Sequence, residues 1–203
     1  MKKIALLVFF VPLYVSAQVD DVSPCLHARI ALVTDVSGSM KGLEKPLYGA
    51  LSSFVTHLPI KRDRIEVGLL YFNDNAIWYD FDGDKKNLSQ KIFLHSEREC
   101  IGGTNILRTL SFLHTVFTDL NLSDTYLRIV IIITDGQFEE YQDEAVRISK
   151  SLKEELNVSI YIIHMGNVEQ AEPLLKRMVG EGNYYGSYYK TLAKDIRRFG
   201  LCF

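Results

Sequence analysis

Two hydrophobic periodicities alternate along this chain. Ile30-Ala31-Leu32-Val33 is a short continuous apolar run that ends in polar residues, the mark of a strand buried on both faces. Leu47, Ala50, Leu51, Phe54, Val55 and Leu58 then recur at helical spacing until Pro59 stops them. Read this way, the pattern predicts a strand over 29–35, a helix over 43–58, and strands over 65–72 and 76–81. The connection Asn73-Asp74-Asn75 is so short that the last two must form an antiparallel hairpin. A short helix over 88–94 and a helix over 106–117 follow. Next come a strand over 127–134, a helix over 140–156, a strand over 158–165 and a helix over 168–179. A weak strand near Tyr184 and Tyr185 leads to a last helix over 189–199. The run Ile129-Val130-Ile131-Ile132-Ile133 is β-branched throughout, which suits a central strand.

Strands alternating with helices imply an α/β fold. Its sheet should be doubly wound and mostly parallel, with one antiparallel edge strand and helices on both faces, in three Rossmann-like layers. Ligands of such sheets bind beyond the carboxyl ends of the strands, near the point where strand order reverses. The polar residues placed there are Asp35-Val36-Ser37-Gly38-Ser39 after the first strand and Thr134-Asp135-Gly136 after the fourth. Gly102-Gly103-Thr104-Asn105 leads into a helix between them. Residues 35, 37 and 39 of an extended or turning segment can face one way. Gly38 permits a tight turn, and Gly102-Gly103 permits a close approach. Two carboxylates (Asp35, Asp135) and three hydroxyls (Ser37, Ser39, Thr104) form a hard oxygen set. It suits Mg²⁺, Mn²⁺ or Ca²⁺ rather than zinc or copper. So few charged ligands leave the ion able to accept an acidic group from outside. Taken singly, Asp35 and Asp135 read as loop caps and Thr104 as a helix N-cap.

Together, Asp35-x-Ser37-x-Ser39, Thr104 and Asp135, with Gly-Gly-Thr-Asn at 102–105 and Thr-Asp-Gly at 134–136, resemble the von Willebrand factor type A domain with its metal-ion-dependent adhesion site. The resemblance runs from about Arg29 to Phe199. It implies that Ser37 and Ser39 bind the ion directly and that Asp35 and Asp135 bind directly or through water. Thr104 would join or leave as the site changes state, and a Glu or Asp of a partner protein would complete the coordination. The implied activity is protein binding rather than catalysis, by a chain that is monomeric alone. A metal-dependent hydrolase acting on a phosphoester or peptide is the alternative. No Ser-His-Asp set or general base is evident at the strand ends. The resemblance also places the termini side by side, with a Cys25–Cys202 disulfide. That bond would restrain the last helix, which is mobile in the family. Cys100 is then spare, either a small buried residue or a reactive thiol.

Composition narrows the reading further. At 203 residues, 47% hydrophobic and 24% charged, the chain fits a single globular domain and not disorder, collagen or coiled coil. A net charge of −2 supplies no basic surplus for nucleic acid. Lys2-Lys3, the apolar run Ile4–Tyr14 and the small residues Val15-Ser16-Ala17 have the order of a secretory signal peptide over 1–17. That run is too short to span a hydrocarbon core of about 30 Å, so no lasting membrane anchor is expected. The domain should occupy 18–203 and be exported, periplasmic or secreted. Loss of two lysines and no acid takes the net charge from −2 to −4. Asn87, Asn121 and Asn157 begin Asn-x-Ser triplets, which matter only in a host that glycosylates them. Mass spectrometry of the exported protein should find an N-terminus at Gln18 and, after non-reducing digestion, a Cys25–Cys202 peptide pair. An unshortened chain or two free thiols would contradict these expectations.

Overall fold

The computed structural model describes residues 27–120, 126–138, 142–165 and 171–187. The elements follow in the predicted order: β1 (His27–Asp35), α1 (Glu44–His57), β2 (Ile65–Phe72), β3 (Ala76–Asp82), α2 (Lys85–Ser96), α3 (Ile106–Asp119), β4 (Tyr126–Thr134), α4 (Gln142–Glu154), β5 (Val158–Met165), α5 (Glu172–Val179) and β6 (Tyr184–Ser187). The expected signal peptide, Cys25, Cys202 and the helix over 189–199 lie outside the described residues.

All six strands form one sheet in the order β3-β2-β1-β4-β5-β6. Every neighbouring pair is parallel except β2–β3, the expected hairpin at one edge. Alternation along β1 and β4 splits the core into two layers. Ile30, Leu32, Ile129, Ile131 and Ile133 face α1 and α2. Ala31, Val33, Val130 and Ile132 face α3, α4 and α5. Both faces are thus sealed by apolar side chains, and each such residue contributes roughly 1.5–3 kcal/mol on burial. At the hairpin edge, the indole of Trp78 lies over Gly68, where a Cβ would overlap the ring. The same indole meets Phe81 and Phe112 edge-on, at centroid distances of 5.2 and 5.9 Å.

One boundary departs clearly from the hydrophobic pattern. The expected helix over 88–94 begins at Lys85, because the Asp84 carboxylate caps it by accepting from the amides of Lys86 and Asn87. The apolar stripe registers only the buried side, Leu88 and Ile92, and continues through a histidine. That residue, His95, lies flat on Tyr71 of β2, with ring centroids 3.6 Å apart and planes at 11°.

Burial, with a smaller contribution from the Arg98 charge, pushes the His95 imidazole down to about 4. In the unfolded chain it titrates near its ordinary value of 6.5. Between those values the unfolded state holds the extra proton, so stability is lost as pH falls through the window. Chemical denaturation from pH 7 to pH 4 should lose up to about 3 kcal/mol through this group. His95→Phe, which keeps a ring on Tyr71, should remove that part of the pH dependence.

Candidate functional site

The strand order reverses between β1 and β4, since β1 continues to β2 on one side and β4 to β5 on the other. Their carboxyl ends lie in step, with Thr34 opposite Ile133. Asp35 therefore emerges beside Thr134. Asp35 has no exposed surface, and Asp135 is 4% exposed.

Local bonds shape the segment after β1. One Asp35 carboxylate oxygen, Oδ1, accepts from the Ser37 amide at 2.9 Å, turning the chain back over its own carboxylate. Gly38–Met40 then form a single 3-10 turn, anchored by the fully buried Met40 side chain. The hydroxyls of Ser37 and Ser39 come within 3.0 Å of each other, one buried and the other exposed. The loop before α3 is pinned alongside. The Ile101 amide donates to the Val36 carbonyl at 3.1 Å, and the Gly38 amide donates to the Gly102 carbonyl at 2.9 Å. Thr104 is half-buried in this loop. Asn105, not Thr104, caps α3, accepting from the Arg108 amide at 2.9 Å. The capping alternative for Thr104 is thereby removed.

Five expected residues thus occupy one end of the sheet, but by different means. Asp35, Ser37 and Ser39 are joined directly by hydrogen bonds. Asp135 lies close enough for its charge to act on Asp35. Thr104 is brought alongside by its backbone, and no hydrogen bond joins its side chain to the other four among the described residues.

Burial pushes the Asp35 carboxyl up to about 6, and the neighbouring Asp135 charge adds to the rise. Hydrogen bonds from Ser37 and Thr134 act the other way. Among the described residues no cationic side chain pairs with either carboxylate. Two buried like charges flanked only by neutral donors favour a cation between them. The hydroxyls of Ser37 and Ser39, 3.0 Å apart, add two neutral oxygens beside the Asp35 carboxylate. The residues present fit a divalent cation.

Two residues outside the five support the site. The Thr134 hydroxyl donates to Asp35 Oδ2 at 2.6 Å and accepts from the Gly136 amide at 2.9 Å, linking the ends of β1 and β4. His164 on β5 donates through Nε2 to the Asp135 carbonyl at 3.0 Å. Its Nδ1 lies 2.7 Å from the Tyr184 hydroxyl. A carbonyl can only accept, so Nε2 carries the proton of the bond to Asp135. Cys100 is buried, and burial pushes its thiol up to about 11, which agrees with a small packed residue. Phe138 is buried as well, while the neighbouring 139–141 lie outside the described residues.

The family model for the von Willebrand factor type A domain matches residues 30–198. The crystal structure of manganese-loaded TRAP protein from Plasmodium vivax superposes with a TM-score of 0.73 at 18% identity, covering 85% of this chain and 73% of that one. The vWF domain of the type V pili tip protein Mfa5 from Porphyromonas gingivalis gives 0.73 at 13% identity, covering 86% and 94%. The pilus adhesin SpaC from Lactobacillus rhamnosus GG, in its open conformation, gives 0.72 at 14%, covering 86% of this chain but 29% of the adhesin. At such identities the likeness is one of fold. No curated protein matches the sequence.

The Thr134–Asp35 bond carries a measurable cost. Thr134→Val keeps the shape but leaves a buried carboxylate oxygen short of a donor. In urea denaturation with EDTA it should destabilise by about 1–3 kcal/mol. Thr134→Ser, which keeps the hydroxyl, should lose less. Equal losses would show that the methyl group, not the hydrogen bond, matters there.

Proposed function

The chain belongs to the von Willebrand factor type A domain family, and from that premise we propose that it is an exported protein-binding module whose Asp35, Ser37, Ser39, Thr104 and Asp135 hold one divalent cation, Mg²⁺, Mn²⁺ or Ca²⁺. The partner is a protein that offers a Glu or Asp side chain. The observation that carries this reading is the buried pair Asp35 and Asp135, at the reversal of strand order, with neutral donors around Asp35 and, among the described residues, no basic side chain paired to either.

Each residue has work to do in that role. Asp35 supplies charge from a position with no exposed surface, its orientation held by the Ser37 amide and the Thr134 hydroxyl. Ser37 and Ser39 would supply neutral hydroxyl oxygens, which lie together at the end of β1. Thr104 comes from the loop pinned to Gly38, and Asp135 from the end of β4. A bound dication supplies a Lewis-acidic position that takes an external carboxylate. The exposure of Ser39 leaves this end of the site open to solvent.

Several comparisons support the proposal. The Plasmodium vivax TRAP structure is manganese-loaded, and two other similar structures are, by name, a pilus adhesin and a type V pili tip protein. In the same reading residues 1–17 are a signal peptide, and the domain from Gln18 acts outside the cytoplasm as a monomer. Its ends are closed there by Cys25–Cys202.

Calorimetry with Mg²⁺ and Mn²⁺ should show one site, lost in Asp35→Ala. Immobilised protein should retain a partner from the same compartment only without EDTA, and Asp35→Ala should retain none. Full cation binding by Asp35→Ala would overturn the site assignment. Phosphoester or peptide turnover that depends on Asp35 would instead favour the hydrolase.

A further inference from the structure

The hairpin turn Asn73-Asp74-Asn75 joins β2 to β3, yet much of its hydrogen bonding goes to the loop before α3. The Asn73 side-chain amide donates to the Ile101 carbonyl at 2.9 Å. Asp74 Oδ2 accepts from the Gly103 amide at 3.0 Å. The Asn73 carbonyl accepts from the Asn105 amide at 3.0 Å. Residues 101, 103 and 105 are therefore tied to the turn, one after another at intervals of two. The residue between the first two turns the other way, since the Gly102 carbonyl accepts from Gly38 beside Asp35. Thr104 lies between Gly103 and Asn105, whose amides are both bonded to the turn.

The contact is close on both glycines. A Cβ on Gly102 would strike Asp74 Oδ2, and one on Gly103 would sit 2.7 Å from Asp74 Oδ1. Gly102 also has φ +82°, a conformation that side chains resist. The Asp74 carboxylate thus lies against the Gly-Gly backbone, closer than a Cβ at either position would allow without the carboxylate moving. The turn itself is steadied from α3, where Arg108 donates to the Asp74 carbonyl at 3.3 Å and to Asn75 Oδ1 at 3.1 Å.

We propose that Asp74 is a positioning residue for the cation site: by holding the Gly103 amide it sets where Thr104 stands relative to Asp35 and Asp135. The proposal rests on the cation reading given above. Asp74 acts through the loop, and the property it needs is an acceptor oxygen at the Gly103 amide rather than a negative charge.

The test is Mn²⁺ binding by calorimetry on the purified protein, with Asp74→Ala, Asp74→Asn, Thr104→Ala and the double variant Asp74→Ala/Thr104→Ala. Asp74→Ala should weaken Mn²⁺ binding about tenfold, as loss of a group orienting a metal ligand commonly does. Asp74→Asn keeps an acceptor for Gly103 and should stay within about twofold of the parent. The double variant should bind no more than about twofold more weakly than Thr104→Ala, because both changes remove one contribution. Amide hydrogen exchange on metal-free protein gives a second readout: Gly103 should exchange faster in Asp74→Ala and not in Asp74→Asn.

Unchanged Mn²⁺ binding in Asp74→Ala would overturn the proposal. So would equal weakening in Asp74→Asn, which would make charge the operative property, or losses in the double variant that multiply. Asp35→Ala serves as the separate control. If it binds Mn²⁺ like the parent, the cation reading fails, and the role of Asp74 there falls with it. If it binds none, the outcome for Asp74 stands on its own variants.

Discussion

A carboxylate with no accessible surface must be compensated by its immediate neighbours, and Asp35 at the end of β1 is such a group. Its two oxygens impose separate demands. One recruits the Ser37 amide and bends the chain into the Gly38–Met40 turn, which brings two serine hydroxyls together. The other recruits Thr134 from the adjacent strand, and Thr134 in turn receives the Gly136 amide, which shapes the backbone around Asp135. A second acid then lies beside the first, and among the described residues only neutral donors offset the pair. The arrangement makes sense of a site that takes charge from outside: the fold has organised hydrogen bonds around a negative centre without neutralising it.

That centre can exist because the sheet around it is rigid and dry. Parallel pairing brings the ends of β1, β2 and β4 into register, and both faces are sealed by alternate Ile, Val and Leu side chains. Polar chemistry is confined to the strand ends, where the apolar layers stop. His164 extends the network sideways, joining the Asp135 carbonyl to Tyr184 on β6. The backbone after β4 is therefore fixed from two strands, one on either side.

Much of this was legible in the sequence, and the unread parts have common causes. The bounds of β2 and β5 follow directly from their apolar runs, 65–72 and 158–165. The hairpin followed from three consecutive turn residues, and Asp35, Ser37 and Ser39 from a spacing of two within one short segment. The start of α2 was hidden because a cap at Asp84 sets it, upstream of the first buried residue. Thr134 was legible only as part of the Thr-Asp-Gly loop, since its partner Asp35 lies 99 residues away, and the contact of the hairpin turn was hidden because Asp74 meets Gly103 across 29. Thr104 and Asn105 are both competent caps by residue type, and only the backbone path decides that Asn105 takes the position. Local pattern reports what a residue can do, whereas pairing across the sheet selects which option is used.

The long span of the Thr134–Asp35 bond has a kinetic consequence. β1 pairs with β4 only after the whole first half of the domain has been synthesised and brought back against it. Closing so large a loop costs entropy before any contact repays it, and parallel pairings of this kind form slowly. The half-domain that precedes β4 can form its hairpin and first helices, but it lacks one wall of the acidic end. A chain stalled short of β4 lacks Thr134 and Asp135 and has no assembled centre to present.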